Sequence, residues 1–109
     1  MADDKELWLT PRRIRVVEGY SGTRTILYDG VGALTNEAVV MFSGAEDVST
    51  DKLSGAPTTS GNILTTPTVQ NLLADTLYVM VVTVTEDGNP TRPRKQEWYC
   101  EAKETLYNE

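Results

Sequence analysis

Histidine is absent from this 109-residue chain, and cysteine occurs once, as Cys100. Without histidine there is no Ser-His or Cys-His pair, no imidazole ligand for zinc, and no side chain that ordinarily titrates near neutral pH. A lone cysteine rules out an intrachain disulfide, so the core must close by burial, with Cys100 expected as a buried free thiol. No run approaches the ~18 apolar residues that a membrane-spanning helix requires, and residues 1–6, Met-Ala-Asp-Asp-Lys-Glu, hold no apolar signal core. The chain is therefore expected to be made in the cytoplasm and to have no membrane partner. Basic residues are scarce too, 10 against 16 acidic, for a net charge of −6. Phosphate contacts need clustered Lys and Arg to release counterions, so no nucleic-acid partner is expected.

Catalytic signatures are missing as well: no Gly-rich phosphate loop, no nucleophile elbow, no paired Cys-x-x-Cys motifs. Acid pairs occur at Asp3-Asp4, Glu46-Asp47 and Glu86-Asp87. Neighbours on one loop cannot face each other across a cleft, as glycoside chemistry demands of its two carboxyls. Glu46, Asp47 and Asp51 are oxygen ligands of the sort calcium accepts, but they lack the regular spacing and ordering glycine of a calcium loop. The expectation is a protein that is no enzyme and holds no cofactor or metal.

What is present is a long apolar run, residues 72–88, that ends in Asp87-Gly88. Val and Thr dominate residues 79–85, their β-branched side chains suit a pleated surface, and Asp87-Gly88 supplies the positive-φ position that turns the chain back. This run predicts a central strand with Tyr78, Met80, Val82 and Val84 inward and Leu77, Val79 and Val81 outward. Residues 12–18 alternate Ile14 and Val16 with Arg13 and Arg15, a half-buried first strand. Residues 23–29 place Ile26 and Tyr28 opposite Leu27; residues 38–43 form a third strand apolar on both faces. Residues 44–61 are polar and glycine-rich, predicting a loop with one short edge strand. Residues 62–66 resume the alternation, and residues 96–105 close the domain with Trp98, Cys100 and Ala102 on one face. At this length one domain can bury roughly two thirds of its unfolded surface. The predicted organisation is an N-terminal arm over residues 1–11, a domain over 12–105 and a tail over 106–109.

About seven short strands and no helical period predict an all-β antiparallel sandwich. The segment Leu72-Leu73-Ala74-Asp75-Thr76-Leu77-Tyr78 resembles the corner before strand F of fibronectin type III and related immunoglobulin-like domains, where a tyrosine hydroxyl ties the strand to the preceding loop. The resemblance implies that Tyr78 is that corner residue and that the fold is immunoglobulin-like, or fibronectin type III-like. Two features depart from the type III pattern: the second strand lacks the tryptophan those domains bury, and Trp98 stands in the last strand instead.

Candidate interface residues follow from charge and exposure. Arg12, Arg13 and Arg15 form one basic cluster and Arg92, Arg94 and Lys95 another, expected near the same end of a sandwich. Trp8 either folds back over the domain's own core or anchors a partner, and the arm is expected to touch a neighbouring subunit through Trp8 and Leu9. The outward row of Leu77, Val79 and Val81 predicts an apolar patch, which marks an interface.

Residues 61–78, Gly-Asn-Ile-Leu-Thr-Thr-Pro leading into Leu-x-Ala-x-Thr-x-Tyr, also resemble small accessory proteins of tailed bacteriophage virions. That resemblance, with an own methionine and no signal peptide, implies a non-enzymatic virion protein: a capsid decoration or head-fibre protein. Its partners would be the major capsid protein, other virion proteins or copies of itself, in a homo-oligomer or large assembly. The competing expectation is an adhesion module of a tail fibre, baseplate or bacterial surface protein, binding glycan or protein through loops. Residues 44–61 offer no aromatic to stack on a sugar face.

Overall fold

Period-two patterning organises the residues described by the computed structural model, 7–90 and 93–102. In order the elements are β1 (Leu7–Val17), β2 (Thr25–Leu27), β3 (Leu34–Ser43), β4 (Glu46–Asp47), the one-turn helix α1 (Ser49–Lys52), β5 (Leu53–Ser54), β6 (Thr58–Ser60), β7 (Ile63–Thr65), β8 (Thr68–Val69), β9 (Thr76–Glu86), β10 (Asn89–Pro90) and β11 (Arg94–Glu101). The larger sheet runs β1-β11-β9-β3-β4, with β10 also paired to β9; a second sheet runs β2-β7-β6, and β5 pairs with β8. This is an all-β fold whose core draws on both main sheets.

β9 sits at the centre because β3 and β11 bracket it with antiparallel ladders. Its residues Tyr78, Met80, Val82 and Val84 are buried. Across the ladders Met80 meets Met41 and Gln96, and Tyr78 meets Trp98. From the second sheet Ile26 and Leu64, with Tyr28 just after β2, complete the same cluster. The chain leaves β9 through Asp87 and Gly88, at φ 48° and 86°, between the paired residues Glu86 and Asn89. Positive φ at both central positions is the type I′ hairpin, which matches the natural twist of the strands it joins. The Asp87 carboxylate also accepts hydrogen bonds from Gly32 and Ala33 N–H, at 3.1 and 2.9 Å, fastening the loop before β3.

The first strand begins at Leu7 rather than at residue 12, which corrects the expected arm. Pro11 lies inside β1, where the register against β11 shifts between Trp8 and Arg13. An edge strand tolerates proline at such an irregularity, since no ladder partner there needs its missing N–H. The Pro11 carbonyl accepts a 2.8 Å hydrogen bond from Gln96 Nε2, and Leu9 is buried in the core at 8% exposure. Residues 1–10 therefore cannot all be a dispensable extension. The β1–β11 pairing is parallel, so the larger sheet is mixed rather than wholly antiparallel.

Residues 44–61 also depart from the expected single edge strand, because they hold β4, α1, β5 and β6, and the described residues contain eleven strand segments rather than about seven. Asp47 Oδ1 accepts from Ser49 N–H at 2.9 Å, and Ser49 Oγ accepts from Met41 N–H at 2.9 Å, so a polar turn is pinned onto β3. Lys52 is buried, its Nζ donating to the Asn71 carbonyl at 2.6 Å. The predicted tail, 106–109, lies outside the described residues, as do positions 103–105 of the predicted last strand.

The Tyr78 hydroxyl accepts a 2.9 Å hydrogen bond from Leu73 N–H, tying β9 to the segment before it. Tyr78→Phe removes that acceptor while keeping the ring, and should destabilise the protein by about 0.5–1.5 kcal/mol in chemical denaturation. An unchanged midpoint would show that the bond contributes nothing net. Leu9→Ala should cost about 2–5 kcal/mol, the range for emptying a buried leucine site. A loss below about 0.5 kcal/mol, the scale of surface changes, would mean that Leu9 is not a core residue in solution.

Candidate functional site

The predicted interface residues fall into two separate groups. Leu77, Val79 and Val81 lie on the face of β9 opposite the core, with Leu77 38% exposed and the two valines half-buried. Register places Val81 between Val40 and Lys95, Val79 between Phe42 and Glu97, and Leu77 beside Tyr99. The outer face thus carries an apolar band over β3 and β9, continued onto β11 by Tyr99 between the charged Glu97 and Glu101. Charge frames it on the β1 side: Arg13 Nε pairs with Glu97 at 2.9 Å, Arg15 pairs with Glu101 at 2.8 Å, and the Arg15 guanidinium lies 5.8 Å from the Tyr99 ring centre. On the other side stands the two-residue acidic strand β4.

Trp8, Leu9 and Arg94 belong to the second group. Together with Arg24, Ile26 and Leu27 they line a cavity of about 280 Å³ between the start of β1, β11 and β2. The parallel register sets Leu7 beside Arg94 and Trp8 beside Lys95, which brings members of both basic clusters to one end of the sheet. Arg12 stacks over the Trp8 indole, its guanidinium carbon 3.8 Å from the ring centre. Arg94 covers the Tyr28 ring at 4.3 Å and holds a looser contact with Glu86 at 3.7 Å. Burial raises the Tyr28 pKa; the Arg94 charge opposes that rise and Glu86 adds to it. Arg92 lies outside the described residues.

Arg24 is the lining residue that sequence patterning misses. It precedes β2 as one basic residue among polar neighbours, and only the meeting of β1, β2 and β11 reveals its surroundings. Its Nε is buried without a hydrogen-bond partner among the described residues. Tyr99 on the outer face was likewise hidden, since alternation in β11 marks which side it faces but not the apolar neighbours it meets there.

A second concavity, about 370 Å³, is lined by Glu46, Asp47, Asp51, Lys52, Leu73 and Tyr78 among others. Two of its three acids are engaged within the fold. Asp47 accepts from both the N–H and the Oγ of Ser49, and Asp51 pairs with Lys52 Nζ at 2.7 Å. No group of three metal-ligating side chains occurs among the described residues. Cys100 is buried, and that burial, reinforced by the acidic neighbours Glu18, Asp75 and Glu101, pushes its thiol pKa up, away from the reactive thiolate.

The Asp47 carboxyl is held below its ordinary value by its Ser49 hydrogen bonds, and that of Asp51 by Lys52. A depressed folded-state pKa contributes stability that is fully present above the unfolded value, 3.8, and is lost as pH falls through the lowered folded values. An Asp47→Asn/Asp51→Asn double variant should therefore be less stable than the parent at pH 6, with the gap closing below pH 3.8. Thermal midpoints measured across that range check this; a constant gap would mean the two carboxylates are not the titrating groups.

Comparison with family models, with curated proteins and with solved structures found no match to this chain.

Proposed function

We propose that this chain is a non-enzymatic protein–protein interaction module of immunoglobulin-like type, acting as a structural or accessory component of a tailed-phage virion such as a capsid decoration or head-fibre protein. The observation that carries the interaction reading is the outer face of the larger sheet. An open sheet ordinarily keeps its solvent face polar, yet Val40, Phe42, Leu77, Val79, Val81 and Tyr99 place an apolar band there. Fully burying an exposed apolar side chain contributes roughly 1.5–3 kcal/mol, and most of these side chains are already half-buried, so a neighbouring subunit gains a fraction of that from each and needs several of them together.

The immunoglobulin-like reading is supported by the order β1-β11-β9-β3-β4 opposite β2-β7-β6 and by the Tyr78 bond to Leu73 N–H. The virion reading rests on the likeness of residues 61–78 to phage accessory proteins. The major capsid protein, or further copies of this chain, would then be what the band covers.

Val79→Lys and Val81→Lys, made separately, put a charge in the middle of the band without touching the buried face of β9. Both variants should keep the parent's denaturation midpoint within about 0.5 kcal/mol. Association, measured by sedimentation velocity for self-assembly and by co-sedimentation with virions stripped of the protein, should weaken by about tenfold or more per substitution. Folded variants that associate like the parent would remove the outer face as the interface.

A further inference from the structure

The cavity at the start of β1 is lined by two arginines, Arg24 and Arg94, beside Trp8, Leu9, Ile26 and Leu27. Arg24 presents a buried Nε–H with no acceptor, although buried polar groups are nearly always hydrogen-bonded and an unpaired cationic donor is the costliest exception. Arg94 stands at the same cavity, and its own acid, Glu86, is 3.7 Å away rather than at close hydrogen-bonding distance. Arg12 stacks on the Trp8 indole that forms one wall. Among the described residues neither Arg12 nor Arg24 has a carboxylate within 4 Å, whereas Arg13 and Arg15 on the outer face are each paired. A chain with net charge −6 thus lines one cavity with two guanidinium groups, those of Arg24 and Arg94, and stacks a third, that of Arg12, on its Trp8 wall.

We propose that this cavity receives the side-chain carboxylate of an aspartate or glutamate on a partner protein. Its oxygens accept from the guanidinium groups of Arg24 and Arg94, while its methylenes lie against Trp8 and Ile26. Arginine forks match planar carboxylates, and a wall that is half apolar suits a residue with an aliphatic stem. A monoanion fits better than a phosphate, because Glu86 beside Arg94 repels the second negative charge. The site deepens the protein–protein reading given above and rests on it, adding an anchor on a different part of the molecule from the outer apolar band.

The test follows the arginine Nε–Hε and indole N–H cross-peaks of the ¹⁵N-labelled full chain. The probes are N-acetyl-glutamate N-methylamide, its glutamine counterpart and inorganic phosphate. The glutamate probe should shift the Arg24, Arg94 and Trp8 signals along one saturable curve. Glutamine should leave them in place, and phosphate should bind about tenfold more weakly or worse. In Arg24→Gln, read at Trp8 and Arg94, the glutamate dissociation constant should rise about tenfold, the loss of one charge-assisted partner. Arg94→Gln, read at Arg24, gives the same test if Arg24→Gln does not fold. Movement of Arg13 and Arg15 with Arg24 still, or phosphate binding as tightly as glutamate, would overturn the assignment. Titration in Val79→Lys separates this proposal from the outer-face reading: lost association with intact glutamate binding leaves both standing. Absent glutamate binding with normal loss of association removes the cavity proposal alone.

Discussion

Everything in this fold hangs on β9 being held between β3 and β11 with apolar side chains on both of its faces. In an ordinary half-exposed strand a one-residue slip would expose the whole hydrophobic set, and that penalty sets the register. β9 has no such safeguard, since a slip would trade Tyr78, Met80 and Val82 for Leu77, Val79 and Val81. Size and local ties do the job instead. The inner positions take the bulky Tyr78 opposite Trp98 and the two methionines Met41 and Met80 side by side, volumes that the outer valines could not replace. At one end the Asp87-Gly88 turn fixes the reversal, and at the other the Leu73 N–H to Tyr78 hydroxyl bond fixes the entry.

The same two-faced strand links the fold to the proposed interface. Its inner row closes the core, and its outer row leaves an apolar band that water solvates poorly. The sheet's edges limit indiscriminate pairing: β4 is only two residues long, and β1 carries Pro11 at its irregular register. The exposed pairs Arg13–Glu97 and Arg15–Glu101 add little stability where they stand. They do frame the band with charge, which at the proposed interface would favour an oriented neighbour over non-specific adhesion. The arginine-lined cavity lies apart from this band, so a partner spanning both would be held by burial at one place and by a carboxylate at the other.

Strong period-two patterning made part of this legible from residues alone. The inward and outward rows of β9, the burial of Ile26 and Tyr28 against an exposed Leu27, and the inward Trp98 and Cys100 all follow from alternation. Short segments did not show, because β4, β5 and β8 are two residues each, stabilised by partners distant in sequence rather than by any local period. Pro11 misdirected the reading of the N-terminus, since proline ends most regular structure and only an edge position with a register shift accommodates it. Arg24 carried no signal either. Its significance arises from Trp8 and Arg94, which reach it only after β1 pairs with β11 and packs near β2.

Native-state amide hydrogen exchange tests the central role of β9 most directly. Amides of residues 79–82, laddered on both sides, should exchange only through global unfolding, with an opening free energy equal to that from chemical denaturation. Amides of β6 and of the β5–β8 pair should open at lower cost. Exchange of residues 79–82 by local opening, at rates like those of β6, would contradict the account and place the organising element elsewhere.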